Sequence, residues 1–338
     1  MVAADPLALA LLNDWQRDFP LVARPFAAIG AGLGVDAVTV LARYRALHAG
    51  GALSRIGGAF AAGAGGAALL CAFAVPPARL EAVAALVSAH PGVNHNYERE
   101  HAYNLWFVLT GIDRAAVARA LDQLERDCAL QALRLPMLRA YRIDLGFDLR
   151  GPVAARPPTA CPPAAPVRAA DRPLAACLED GLPLVEQPFA AWAEVCARTE
   201  DAVLGTLRRW LAEGTLRRFG VIVRHHEVGF VHNAMTVFDL PDAQVDACGE
   251  RLALQPGVTL AYRRARAPGW PFNLYCMVHG RDRAAVESAI DAAVAAAGLA
   301  DRPRAVLFSR RRFKQRGARY FSAASAAATP AGGEGVVV

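Results

Sequence analysis

The chain has 338 residues, enough for two or three domains with substantial cores. A net charge of +6 and a pI of about 9.1 suit an anionic partner, whether nucleic acid, an acidic membrane or a polycarboxylate. The seven cysteines include no Cys-x-x-Cys pair, which excludes a usual structural zinc motif and points to a reduced, cytoplasmic protein.

In chain order, no basic stretch precedes the first apolar run, so a signal peptide is not expected. Pro25 opens a short apolar helix that ends near Gly34. A second helix spans 36–49, with Val40, Leu41, Tyr44 and Leu47 at three/four spacing and Gly50-Gly51 as its stop. With a following β-ribbon this is a winged helix-turn-helix. The uncharged run 56–78 is long enough to cross a bilayer, but it is built of Gly and Ala and ends at Pro76-Pro77. We read it as a strand and turn in a core, with no membrane partner. Next come a strand at 67–75, a helix at 77–90, strands at 93–98 and 103–110, a helix at 114–127 and a strand at 138–145. That order is a ferredoxin-like βαββαβ unit.

The pattern then repeats. A constant offset aligns Pro20-Leu21-Val22 with Pro183-Leu184-Val185, and Pro25-Phe26-Ala27-Ala28 with Pro188-Phe189-Ala190-Ala191. Thr199 caps the helix at 199–213 and Gly214 stops it. A second βαββαβ series follows: strand 234–239, helix 243–255, strands 258–263 and 272–279, helix 283–297 and strand 304–309. The expected organisation is therefore α+β with an internal duplication. It comprises a helix-turn-helix (10–62), a ferredoxin-like domain (66–150), a Pro/Ala linker (151–173), a second helix-turn-helix (174–229), a second ferredoxin-like domain (230–321) and a disordered Ala/Gly tail (322–338).

The two copies differ in chemistry. Pro91-Gly92-Val93 leads into His95-Asn96-Tyr97-Glu98-Arg99-Glu100-His101, then Tyr103-Asn104-Leu105-Trp106. Pro256-Gly257-Val258 leads into Leu260-Ala261-Tyr262-Arg263-Arg264, then Trp270-Pro271-Phe272-Asn273-Leu274. Only the first of these segments carries histidines. The second copy has Arg224-His225-His226-Glu227, where the first has only small residues.

A helix-turn-helix followed by βαββαβ resembles the Lrp/AsnC regulators. The segments at 103–107, 143–149, 224–230, 270–274, 277–280 and 312–317 resemble the siroheme decarboxylases in particular, the first half the D-type subunit and the second the L-type. The resemblance implies removal of the C12 and C18 acetate carboxylates of siroheme, giving 12,18-didecarboxysiroheme in haem d1 biosynthesis. It implies no organic cofactor, with the iron belonging to the substrate. The free sheet faces suggest that the two βαββαβ units pair within the chain, with a homodimer or association with related decarboxylase subunits as further possibilities.

The residues suit that chemistry. Arginine forks bind carboxylates bidentately and stay charged, so Arg99, Arg263, Arg264, Arg311, Arg312 and Lys314 are candidate clamps. Tyr97, Trp106, Tyr262 and Trp270 are candidates to flank a flat macrocycle, although core packing is the ordinary role for Trp106. His225 is a further substrate-binding candidate. Loss of CO2 leaves an electron pair on carbon, and a histidine can supply the proton. His95 and His101 are the candidates and are expected to face one ring edge. One would donate the proton, and the other would orient a carboxylate or ligate iron. His279 at a strand end reads as structural. The rival readings are a DNA-binding regulator and a non-catalytic tetrapyrrole sensor. Acidic residues at the starts of the presumed recognition helices (Asp36, and Glu200-Asp201) disfavour DNA.

Overall fold

The computed structural model describes residues 5–61, 63–143, 146, 148–150, 164–224 and 226–321. His225, most of the expected linker and the expected disordered tail lie outside these residues.

Copy one contains α1 (Pro6–Asn13), α2 (Pro25–Leu33), α3 (Ala37–Ala49), β1 (Leu53–Phe60), β2 (Ala67–Phe73), α4 (Leu80–Ala89), β3 (Val93–Arg99), β4 (Leu105–Gly111), α5 (Arg114–Cys128), β5 (Leu133–Leu135) and β6 (Met137–Ile143). Copy two contains α6 (Arg172–Asp180), α7 (Pro188–Val195), α8 (Glu200–Ala212), β7 (Leu216–Val223), β8 (His232–Phe238), α9 (Asp242–Ala253), β9 (Val258–Arg264), β10 (Leu274–Gly280), α10 (Arg283–Ala296) and β11 (Arg304–Gln315). Both copies carry Gly-x-Asp-Arg-Ala-Ala-Val, from Gly111 and from Gly280, and this segment is a helix start. Asp113 accepts from Ala116 N and Asp282 from Ala285 N, each at 2.7 Å.

The helix-turn-helix units form one layer. Their apolar faces share a core that includes Phe26, Tyr44, Phe189, Trp192 and Phe219. The ribbon expected within each unit is instead made between them: β1 and β7 pair antiparallel, with Gly57 opposite Gly220. Each copy supplies a single strand, and its edge groups are satisfied only by the other copy. Arg45 on α3 donates to Leu184 O at 2.7 Å, and Arg208 on α8 donates to Leu21 O at 2.6 Å. The two presumed recognition helices are thus tied reciprocally, each to the other copy.

The two βαββαβ units also share their last strands. The sheet order is β5-β2-β4-β3-β11-β8-β10-β9-β6. Residues 304–308 of β11 pair with β8 in their own copy, while residues 309–315 pair with β3 in the other. In the same way β5 pairs with β2 in its own copy, and β6 crosses to β9. Only Pro136 separates β5 from β6, so the sheet closes through the chain itself. The final strand expected in copy one is therefore broken in two, and the one in copy two is longer than its hydrophobic pattern indicates. On the outside, α9 approaches the crossing strand closely: a Cβ on Gly249 would lie 2.2 Å from the Tyr141 ring. Among the described residues, no single helix is long and apolar enough to cross a membrane.

Candidate active site inside the closed sheet

Strand alternation sorts the side chains into two sets. One set faces the helices and forms two conventional cores. The other faces inward, where Ala72, Trp106, Leu133, Leu135, Met235, Val237, Trp270, Tyr275, Met277 and Leu307 form a third core drawn from both copies.

Two arginines enter this interior from equivalent positions. Arg99 is buried, with 7% of its surface exposed, and donates to Leu307 O at 3.0 Å. Arg264 donates to Leu135 O at 2.8 Å. Each reaches a carbonyl on the other copy's shared strand. Each also lies over the tyrosine two residues before it: Arg99 is 5.7 Å from the Tyr97 ring centre, and Arg264 is 5.0 Å from that of Tyr262. Among the described residues neither guanidinium meets a carboxylate, and the Nε of each is buried without a partner. Burial pushes Arg99 down to about 10 and lowers Arg264 as well. Both remain cationic at neutral pH. An ion held this way lacks the counter-charge that normally accompanies burial.

Arg312 shares the Tyr97 face and ion-pairs with Glu227 at 3.0 Å. Arg263, Arg311 and Lys314 point the other way. Arg263 faces Asp242 and Asp246 on α9 at 3.5 Å each. Arg311 pairs with Glu98 at 2.5 Å and with Glu81 on α4. Lys314 donates to Ser88 O and His90 O at the end of α4, the latter at 3.0 Å. These three cations are engaged on the helix-facing side of the sheet. Irregular pairing between Ser309 and Arg311 and between Arg312 and Lys314 sets their faces.

The tryptophans are packed rather than open. Trp106 Nε1 donates to Tyr103 O at 2.7 Å, and Trp270 Nε1 donates to Tyr275 Oη at 2.7 Å. Their rings lie 5.3 Å apart. Both are core residues, because their polar atoms and faces are already occupied.

The two histidines sit in different settings. His95 lies on β3 with its ring parallel to that of Tyr97, at 6.3 Å, and its Nδ1 is 2.9 Å from Asn94 Oδ1. His101 lies in the turn after β3, edge-on to Trp270 at 5.2 Å, and its Nδ1 accepts from Tyr103 N at 3.0 Å. Six residues of mostly extended chain separate them, a span of up to ~20 Å. Their tautomers also differ. Donation from His95 Nδ1 to Asn94 leaves a lone pair on Nε2, whereas acceptance at His101 Nδ1 leaves the proton on Nε2. Burial, assisted by Arg99, pushes His95 down to about 4, and burial lowers His101.

The repeated Asn-Leu motif is structural. Asn104 bonds both backbone groups of Val75, and Asn273 bonds Leu240 N and O, so each holds the start of one strand against the end of its neighbour.

A closed sheet that receives one arginine from each half, with helix-turn-helix units tied to one another, defines an internally duplicated α+β protein of helix-turn-helix and ferredoxin-like units. Comparisons with known proteins make this specific. Residues 9–53 and 171–217 match the siroheme decarboxylase NirDL-like HTH domain, and residues 64–142 and 227–314 match the AsnC-like ligand binding domain. The siroheme decarboxylase NirDL subunit of Paracoccus denitrificans is 44% identical, over 93% of this chain and 97% of that one. The siroheme decarboxylase NirD subunit of Stutzerimonas stutzeri is 51% identical, over 44% of this chain and 97% of its own. A crystal structure of the siroheme decarboxylase NirDL in co-complex with an iron-uroporphyrin III analogue superposes with a TM-score of 0.66 at 27% identity, covering 92% of this chain and 93% of that one. The chain belongs to the siroheme decarboxylase family, in its fused NirDL form, and is a carboxy-lyase.

Proposed function

We propose that the chain removes the C12 and C18 acetate carboxylates of siroheme, giving 12,18-didecarboxysiroheme for haem d1 biosynthesis. The observation that carries this reading is the pair Arg99 and Arg264: the first buried, the second half-buried, contributed one by each copy, each with a buried Nε, and bonded to carbonyls rather than to carboxylates. A tetrapyrrole ringed with carboxylates supplies the missing counter-charge, and a guanidinium fork fits it bidentately. Arg312 on the same face as Tyr97 extends the cationic lining. The solved relative in complex with an iron-uroporphyrin III analogue supports a ligand of this kind. The iron is part of the substrate, and the chemistry requires no organic cofactor.

In each reaction the bond between the methylene carbon and the carboxyl carbon breaks. CO2 leaves, the electron pair stays on the methylene carbon, and a proton completes the methyl group. His95 is neutral at pH 7 in the unliganded protein, and its Nε2 lone pair takes up a proton once substrate carboxylates raise its basicity. It then acts as the donor. His101 presents Nε2–H and orients a carboxylate. Desolvation of the departing carboxylate favours its loss as neutral CO2.

Anaerobic incubation with siroheme, followed by mass analysis of the tetrapyrrole, tests this reading. Loss of two carboxyl groups is expected, and recovery of unchanged siroheme would refute it. The HTH units do not support duplex DNA reading, because Arg45 and Arg208 are committed to the opposite copy.

A further inference from the structure

The duplication builds the same backbone setting twice, and only one of the two is equipped for the reaction. Each crossing strand meets the other copy's Tyr-x-Arg strand in the same register. Ser309, Arg312 and Gln315 of β11 stand opposite Arg99, Tyr97 and His95, with irregular pairing between Ser309 and Arg311 and between Arg312 and Lys314. Met137, Ala140 and Ile143 of β6 stand opposite Arg264, Tyr262 and Leu260, with irregular pairing between Met137 and Arg139 and between Ala140 and Arg142. The irregularities fall at matching places, so the two sets correspond residue for residue.

The His95 setting is polar. Arg312 donates to Gln315 Oε1 at 3.1 Å and pairs with Glu227 at 3.0 Å. Ser309 Oγ donates to Asn233 Oδ1 at 2.8 Å, and the same oxygen lies 3.5 Å from Arg99 Nη1. In the counterpart, methionine, alanine and isoleucine replace that serine, arginine and glutamine, and Leu260 replaces His95. Ala68 replaces Asn233: each is the second residue of its strand, next to the pair Ala67–Gly111 or His232–Gly280. Among these counterpart positions, Tyr262 and Arg264 alone keep polar side chains. Burial raises the Tyr262 phenol above its ordinary value, which makes it a weak acid. An arginine holds its proton throughout the neutral range. The counterpart can therefore grip a carboxylate, but these positions offer no group suited to protonating a carbanion at neutral pH.

We infer that the chain has one reaction centre, at His95, and that both acetates are processed there in turn, the macrocycle leaving and returning turned over between the two losses. This rests on the siroheme reading above. C12 and C18 lie symmetrically about the C15 bridge, so turning the flat ring over exchanges them at a fixed point on the protein. A rigid tetrapyrrole cannot turn over inside a closed sheet filled with packed side chains, so the monodecarboxylated ring is released first. Each loss breaks one bond between methylene and carboxyl carbons, frees CO2 and leaves the electron pair on the methylene carbon. Each consumes one proton from protonated His95, and water restores it as the next ring binds. Arg264 anchors a peripheral carboxylate in both orientations and takes no part in proton transfer.

An anaerobic pulse and chase tests this. Wild type loaded with siroheme is mixed with a large excess of isotopically heavy siroheme, and mass analysis follows the two pools separately. The light pool is expected to stop at one lost carboxyl group and to appear in the ultrafiltrate, because heavy substrate takes the centre on release. A light pool that loses two carboxyl groups despite the chase would overturn the inference. A variant gives an independent arm. His95→Asn should slow both losses by the same factor, about a hundredfold or more. One carboxyl group released at the wild-type rate would reveal a second centre and overturn the inference as well. Siroheme returned unchanged by wild type without any chase would refute the siroheme reading, and this inference would fall with it. Two losses that the chase does not intercept would leave that reading standing and remove this inference alone.

Discussion

At the scale of single residues, Arg99, buried without a carboxylate partner among the described residues, carries an energetic cost. A buried guanidinium without a counter-ion destabilises the empty protein. Arg99→Met is therefore expected to raise the melting temperature of the unliganded protein while weakening siroheme binding about ten- to a hundredfold, from the usual worth of charge-assisted hydrogen bonds. Thermal melts and absorbance titrations check both signs. The buried histidines give a pH signature. His95 is held at about 4 and His279 at about 3, both primarily by burial. Between the ordinary imidazole value near 6.5 and these values, the unfolded chain takes up protons that the folded chain refuses. Stability should fall as pH drops through that window and level off above it, and His95→Asn should flatten the slope, as read from denaturant midpoints. Replacing His95 should also slow decarboxylation by about a hundredfold or more if it acts as general acid. The tyrosine–arginine pairs were legible in the repeated Tyr-x-Arg spacing. The partner of His279 was not, because Thr259 meets it across two strands and no linear motif records that contact.

At the scale of elements, β11 decides which candidate cations share the face of Tyr97. Sequence reasoning placed Arg311, Arg312 and Lys314 together because they are adjacent, but irregular pairing against β3 turns only Arg312 towards Tyr97. Bulges leave little trace in a basic run, since neither hydrophobic alternation nor turn residues mark them. Arg311 is itself exposed, so Arg311→Ala should shift the denaturation midpoint only slightly. Siroheme affinity should stay within about twofold of wild type, in contrast to Arg99→Met. Equal losses in the two variants, measured by the same titration, would argue that Arg311 touches substrate. Elsewhere the elements were readable: the capping aspartates, the glycine stops and the apolar spacing of α3 and α8 all mark true helix limits.

At the scale of the whole molecule, the duplication was visible in sequence, but the exchange of strands was not. Each βαββαβ unit reads as self-sufficient, and only the register of β6 and β11 shows that neither closes alone. The helix-turn-helix layer repeats the lesson, with one ribbon strand from each copy. Arg45 and Arg208, each bonded to a carbonyl of the opposite copy, predict no salt-dependent shift of duplex DNA at concentrations that saturate siroheme binding. A retarded duplex would overturn that expectation.

The crossing of β11 has a consequence for biosynthesis. The ribosome makes β3 more than two hundred residues before the strand that must lie beside it. Until the far end of the polypeptide emerges, the nascent first half exposes the bare edge that carries His95 and Arg99, an invitation to wrong pairing. Joining both halves in one polypeptide keeps the correct partner tethered nearby and at equal dose.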